Sequence, residues 1–108
     1  MTILLDESAP RLIKKQLPQL AISTVQDMGW TGLKNGELLK RAEERFDVFV
    51  TADKKLRYQQ NLSNRRLAIV VLPSNQVPVV TTLLPVIERT LATVQPGAFV
   101  EIPLSLVS

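Results

Sequence analysis

Residues 47–53 read Asp-Val-Phe-Val-Thr-Ala-Asp, and they are the most informative stretch for the fold. Their apolar centre predicts a short strand over residues 47–51, and Asp53 follows two residues after that strand. The segment just before it, residues 35–46, carries apolar residues at helical spacing. The stretch therefore predicts a strand that follows a helix and ends close to a carboxylate.

Strand and helix patterns alternate along the whole chain. The strand at residues 67–72 is the most apolar and favours a central place in the sheet, whereas Glu101 interrupts the last strand and favours an edge. This alternation predicts an α/β fold of three layers, in which a mainly parallel sheet of about five strands has helices on both faces. Residues 1–108 are expected to form one domain. The expected strands are residues 2–5, 22–25, 47–51, 67–72 and 98–102, and the expected helices begin after the N-caps Ser8 and Asn35, at Lys54 and at Val79.

Composition excludes several classes of protein. Hydrophobic residues make up 45% and charged residues 21% of the chain, which is typical of a globular protein. Apolar runs are too short to span a membrane and the first residues do not resemble a signal peptide, so we expect a cytoplasmic protein. The chain contains neither cysteine nor histidine, which excludes thiol chemistry, imidazole bases and histidine zinc sites. Any metal ion must then be held by oxygen ligands, which favours Mg²⁺ or Mn²⁺.

Three acidic residues are predicted to share the carboxyl edge of the sheet. Asp6 and Asp53 lie just past strand ends, and Glu37 lies in the first turn of a helix. Right-handed crossovers bring all strand ends and the starts of the following helices to this edge, where ligands bind. Asp47 opens a strand and belongs to the opposite edge. Because clustered carboxylates typically hold a hard divalent ion, Asp6, Glu37 and Asp53 are the predicted metal ligands and catalytic residues.

Each acid also has a local interpretation. Asp53 can cap the helix that follows it, the helix dipole can favour Glu37, and Asp6 can take part in a turn. Glu7, next to Asp6, can assist the site or only favour the nearby helix N-terminus.

The positive charges are compatible with a polyanionic substrate. The net charge is +3, and most lysines and arginines lie between residues 34 and 66. A solvated basic surface is the alternative interpretation for each of them. Trp30, the only tryptophan, can stack on a base or pack its loop onto the domain. The residues expected to neutralise phosphates are Arg11, Lys14, Lys54, Lys55 and Arg57.

Three segments together carry a family resemblance. They are residues 3–10 (Ile-Leu-Leu-Asp-Glu-Ser-Ala-Pro), residues 24–39 (Thr-Val-Gln-Asp-Met-Gly-Trp-Thr-Gly-Leu-Lys-Asn-Gly-Glu-Leu-Leu) and residues 46–56 (Phe-Asp-Val-Phe-Val-Thr-Ala-Asp-Lys-Lys-Leu). In this order they resemble small bacterial PIN-like proteins, a largely uncharacterised family whose members often occur as toxin-like partners of small antitoxin proteins. The resemblance covers residues 2–72 and extends more weakly over the last third of the chain.

The resemblance implies a PIN-like fold and a Mg²⁺- or Mn²⁺-dependent ribonuclease. The family acids map onto Asp6, Glu37 and Asp53, and Thr51 is the hydroxyl of the family's Thr-x-Asp motif. Many relatives have an acid just before the helix acid, where this chain has Asn35 and Gly36. The family's frequent fourth acid is also missing, and Asn75 is the neutral ligand expected in its place.

The sequence bears on two other functional classes. One is a catalytically weak or inactive PIN-like module that works through a protein partner. It is compatible with this chain because two of the acidic residues that many relatives have are missing. A phosphoacceptor signalling domain needs a lysine after its last strand, and this chain has no lysine after Lys55. The apolar tail at residues 102–107 is expected either to cover the core or to contact a partner, such as a second copy in a homodimer.

Overall fold

Five strands and three helices form the part of the chain that the computed structural model describes, residues 1–56 and 65–106. Each strand begins and ends within one residue of its predicted bounds. Most of the helix expected from Lys54 lies outside the described residues. The elements are β1 (Thr2–Leu5), α1 (Leu12–Gln16), β2 (Ala21–Thr24), α2 (Asn35–Arg45), β3 (Val48–Thr51), β4 (Ala68–Val71), α3 (Val77–Thr93) and β5 (Phe99–Glu101), followed by a 3₁₀ turn (Leu104–Leu106).

All described strands pair in parallel, in the order β2-β1-β3-β4-β5. This is the order of one of the two common doubly wound sheets, in which the winding direction reverses between β1 and β3. The α/β prediction and the edge position of β5 are confirmed. The central strand is β3, so the prediction of a central place for residues 67–72 was wrong by one strand: β4 is interior, between β3 and β5.

The sheet has a hydrophobic core on each face, because successive side chains of a strand point to opposite sides. In β1, Ile3 and Leu5 face one core and Leu4 faces the other. The first core is covered by α1 and α3, through residues such as Ile13 and Leu83. The second core is covered by α2, with buried residues Leu38, Leu39 and Ala42. Helices therefore lie on both faces, as predicted.

Two predicted helix caps were wrong. The first helix begins only at Leu12, with Arg11 in the N-cap position, so Ser8 does not cap it. Lys34 occupies the N-cap position of α2, and Asn35 is the first helical residue. In both cases the polar side chain is engaged at the carboxyl edge of the sheet: Ser8 bonds to Asp6 and Ala52, and Asn35 bonds to Asp53.

None of the helices within the described residues is both long enough and apolar enough to cross a membrane.

Candidate carboxylate site at the sheet edge

Asp6 and Asp53 follow the two strands that flank the reversal point of the sheet. Asp6 directly follows β1, and its backbone N–H donates to the carbonyl of Val50 at 2.8 Å, which extends the ladder between β1 and β3. Asp53 follows the end of β3 by two residues. Ligands of open α/β sheets bind at such a point, outside the carboxyl ends of the strands. The prediction that both residues belong to this edge is confirmed.

The hydroxyl of Thr51 connects the two aspartates. It donates to Asp6 Oδ2 at 2.8 Å and accepts the backbone N–H of Asp53 at 3.0 Å. Its side chain is buried, with 1% of its surface exposed. A buried hydroxyl that uses both its donor and an acceptor site holds its neighbours in a defined geometry. Thr51, the hydroxyl of the Thr-x-Asp segment, thus positions both Asp6 and the backbone of Asp53.

Ser8 is a member of the site that the sequence prediction missed. Its hydroxyl donates to Asp6 Oδ2 at 2.6 Å and accepts the backbone N–H of Ala52 at 3.0 Å. One carboxylate oxygen therefore receives two hydroxyl protons, and each hydroxyl is held in turn by the backbone after β3. The sequence signal was only the spacing Asp-x-Ser, which keeps the serine close to Asp6; the bond to Ala52 depends on the tertiary structure.

Asp53 has the local role that was considered as an alternative. Its Oδ1 accepts the backbone N–H of Lys55 at 3.0 Å, the bond of a residue that caps a turn. Its Oδ2 accepts a hydrogen bond from the side-chain amide of Asn35 at 3.3 Å. Asn35, at the start of α2, thereby joins the carboxyl edge on the opposite side from Ser8.

Glu37 is not assembled with the two aspartates. Its Oε1 accepts from Nε of Arg41, one helical turn later, at 3.0 Å, and both side chains are about half exposed, at 48% and 46%. Within residues 1–56 and 65–106 there is no group of three or more acidic side chains placed to hold a metal ion. The expected cluster of three carboxylates is therefore reduced to two, because a neighbouring cation on the same helix face binds the third.

Two further predicted ligands make only local contacts. Glu7 accepts the backbone N–H of Gly32 through Oε1 at 3.4 Å and so ties the loop after β2 to the edge. Asn75 is exposed, and its Oδ1 accepts from the side-chain amide of Gln76 at 3.4 Å. Neither residue contacts Asp6 or Asp53 through a hydrogen bond in the described structure.

The lysines and arginines predicted to neutralise phosphates differ in whether they are paired with an acidic residue. Lys14 forms an ion pair with Asp27 at 2.6 Å, and this hydrogen bond, together with those from Thr24, lowers the pKa of Asp27 to about 2. Arg11 is exposed at the start of α1, and Lys54 and Lys55 are exposed directly after Asp53. Arg57 lies outside the described residues.

Trp30 packs its loop onto the domain. Only 8% of its surface is exposed, and its ring meets that of Phe46 edge to face, with centroids 6.1 Å apart and planes at 85°. Edge-to-face pairs of this kind stabilise a core. Of the two interpretations of Trp30, the packing one is confirmed, and the ring is not presented for stacking on a base.

The donor atoms at this edge suit a hard divalent cation in chemical type. Two carboxylates, two hydroxyls and an amide provide oxygen atoms, and the sequence contains no thiol or imidazole. Oδ1 of Asp6 accepts no hydrogen bond from the described part of the chain, so it keeps its lone pairs for a ligand. Binding of Mg²⁺ or Mn²⁺ by Asp6 and Asp53 stays a prediction.

Comparisons with protein-family models, with curated proteins and with solved structures find no match for this chain. The PIN-like family therefore stays a prediction from the three segments that resemble it.

Proposed function

We propose that this protein is a PIN-like ribonuclease of the cytoplasm that hydrolyses RNA phosphodiester bonds with Mg²⁺ or Mn²⁺ held by Asp6 and Asp53. One observation carries the proposal: the Thr51 hydroxyl joins both aspartates at the carboxyl edge of the sheet, beside the point where its winding reverses. When bound, the ion supplies Lewis-acid chemistry, which makes a water more acidic and offsets charge on the phosphate.

The residues of the chain have separate roles in this proposal. Ser8 and Thr51 hold Asp6 Oδ2, so that Oδ1 points its lone pairs at a fixed place without any rearrangement. Asn35 orients Asp53 from the start of α2. Lys54 and Lys55, both exposed, bring positive charge beside Asp53 and attract the RNA backbone.

Metal binding and cleavage together test the proposal. Wild-type protein is titrated with Mn²⁺ by calorimetry and incubated with a labelled RNA in Mg²⁺ or Mn²⁺. We expect Asp6→Asn and Asp53→Asn to abolish cleavage and to weaken Mn²⁺ binding. Asp47→Asn is the matched control, because Asp47 undergoes the same change at the opposite edge, where it accepts the backbone N–H of Thr2 at 2.8 Å.

A second function has an observation in its favour. Glu37 pairs with Arg41, and two carboxylates give less negative charge than a nuclease site with three or four. On this reading the chain is an inactive PIN-like module that acts through a protein partner. Intact RNA at high protein concentration and no Mn²⁺ binding by the wild type would select it and reject the ribonuclease.

The biological setting proposed for the ribonuclease is that of a toxin inhibited by a small antitoxin protein. The support is the family resemblance alone. Sequencing the adjacent reading frame and co-expressing its product would test it: an antitoxin should bind the chain and stop RNA cleavage, and a neighbour that does neither contradicts the setting.

A further inference from the structure

A second cleft lies along the same edge of the sheet, beyond the ends of β4 and β5. It has a volume of about 380 Å³, within the usual range for small-ligand clefts of about 300–1,000 Å³. Its walls come from the residue after Asp53, from the end of β4 and from the segment after β5. The lining residues are Lys54, Val71, Leu72, Pro73, Glu101, Ile102, Pro103 and Leu104.

The cleft lies next to the candidate carboxylate site. Lys54 is the next residue after Asp53, and the backbone N–H of Leu72 donates to the carbonyl of Thr51 at 2.8 Å. Thr51 is the residue whose hydroxyl holds Asp6. A ligand that reaches from Asp6 and Asp53 towards β5 would therefore pass Lys54 and enter the cleft.

Among the described lining residues, apolar side chains are combined with one cation, Lys54. The floor residues Val71, Leu72 and Ile102 expose at most 4% of their surface. The apolar surface that a ligand can touch therefore comes from Pro103, which is exposed, and from Leu104, which is 56% exposed. Lys54 is exposed and forms no ion pair with any residue of the two described ranges. Such a cleft suits a ligand with a flat apolar part and an attached anion.

Glu101 also lines the cleft, so its described walls carry charges of both signs. A ligand that contacts Pro103 and Leu104 gains hydrophobic contact in addition to the attraction of Lys54. This combination favours a ligand with an apolar part over an inorganic phosphate, which would gain the attraction of Lys54 alone.

We propose that this cleft binds the base and ribose of one RNA nucleotide next to the cleaved bond, while Lys54 binds that nucleotide's phosphate. The inference rests on the proposed ribonuclease function, since it extends the path of the same RNA strand. It assigns Leu104 as the side chain that covers the base and Lys54 as the residue that positions the phosphate.

Nucleotide binding without metal tests the inference separately from cleavage. Adenosine and uridine 5′-monophosphates, ribose 5-phosphate and inorganic phosphate are titrated in the presence of EDTA, and amide chemical shifts are followed by NMR. We expect both nucleotides to shift the amides of Leu72, Ile102 and Leu104. Lys54→Gln should weaken binding by at least about fivefold, since it removes a charge-assisted hydrogen bond. Leu104→Ser should weaken it by about threefold, since it removes part of the apolar contact.

Two matched controls leave the cleft untouched. Lys40→Gln removes an exposed lysine on α2, and Val77→Ser removes an apolar side chain that is 53% exposed at the start of α3. Both should bind the nucleotides as the wild type does. Each variant is first checked for its fold by the amide spectrum, so that lost binding is not confused with unfolding.

Several outcomes would overturn the inference. If ribose 5-phosphate binds as tightly as the nucleotides, the cleft recognises an anion and no base. If the nucleotides shift no amides, or only amides on other surfaces, the cleft does not bind nucleotides. It would then suit a different ligand, such as an apolar side chain of a protein partner. If nucleotides bind but the wild type cleaves no RNA, the ribonuclease proposal is contradicted and the nucleotide site is supported. If RNA is cleaved but no nucleotide binds, the nucleotide site is contradicted and the ribonuclease proposal is supported.

Discussion

The hydroxyl of Thr51 lies 2.8 Å from the carboxylate of Asp6, to which it donates a hydrogen bond. The two residues belong to the ends of neighbouring parallel strands and are 45 positions apart in the chain. Asp6 is thereby fixed by a side chain of the strand that leads to Asp53. The bond makes the edge of the sheet a pre-organised site, in which a ligand meets groups that are already oriented.

Replacing Thr51 with valine keeps the shape of the side chain and removes the hydroxyl. Asp6 Oδ2 would lose one of its two hydroxyl donors, and the N–H of Asp53 would lose its acceptor. We expect Thr51→Val to lower the free energy of unfolding by about 1–3 kcal/mol in urea titrations and to reduce RNA cleavage. Thr82→Val is the control, because the exposed hydroxyl of Thr82 only bonds within α3; equal losses in both variants would contradict a special role for Thr51.

Glu37 should contribute less to metal affinity than Asp6, because it is paired with Arg41. We expect Asp6→Asn to weaken Mn²⁺ binding by more than about tenfold and Glu37→Gln to weaken it less. The ion pair itself should contribute only about 0.3–0.5 kcal/mol to stability, as is usual for exposed pairs one helical turn apart. Calorimetric Mn²⁺ titration measures both affinities. An equal loss in the two variants would mean that Glu37 leaves Arg41 to bind the ion.

The fluorescence of Trp30 should respond to unfolding of the domain and not to RNA binding. Because it is the only tryptophan and is 8% exposed, its fluorescence should be that of a shielded indole, with little quenching by acrylamide. Adding RNA to the Asp6→Asn variant should leave the emission unchanged. Trp30→Ala should lower the free energy of unfolding by about 3–5 kcal/mol. Strong quenching by RNA in the folded protein would restore the base-stacking interpretation.

The lowered pKa of Asp27 predicts how the stability of the folded state depends on pH. Its pKa is lowered from 3.8 to about 2, chiefly by the hydrogen bond from Lys14 and then by the bonds from Thr24. A carboxyl whose pKa is lowered by folding stabilises the folded state above pH 3.8, and this contribution is lost as the pH falls towards 2. A carbon-detected NMR titration should place the Asp27 midpoint near 2 in the wild type and higher in Lys14→Gln. A wild-type midpoint at 3.8 would contradict the ion pair.

Gly97 should tolerate substitution less well than Gly29, although both have positive φ angles, of 76° and 72°. A Cβ atom at Gly97 would lie 2.8 Å from the backbone oxygen of Arg65, whereas one at Gly29 would meet no atom within 4 Å. Gly29→Ala should therefore cost only the backbone strain, about 1–3 kcal/mol, and Gly97→Ala should cost more. Urea unfolding of the two variants measures the difference, and similar losses would show that the Arg65 carbonyl moves away freely.

Much of the fold follows from local patterns along the chain. The apolar run before Asp53 and the run before Asp6 are strands because of their composition, and their common direction follows from the handedness of the connections between them. Both aspartates therefore had to lie at the carboxyl edge, whatever the details of packing. The caps were less predictable, since Ser8 and Asn35 are good capping residues whose side chains bond instead to groups brought in by β1 and β3.

Sequence patterns thus specify which residues lie in strands, which edge each strand end occupies and which acids can meet. They do not specify which partner a side chain takes once several come within reach. Glu37 was expected at the sheet edge, but the folded chain pairs it with Arg41, one helical turn later. The Ser8 hydroxyl, which bonds to the nearby Asp6, is also held by the backbone N–H of Ala52, because β3 lies beside β1. Hydrogen bonds and ion pairs depend on distances of a few tenths of an ångström, and packing sets these distances.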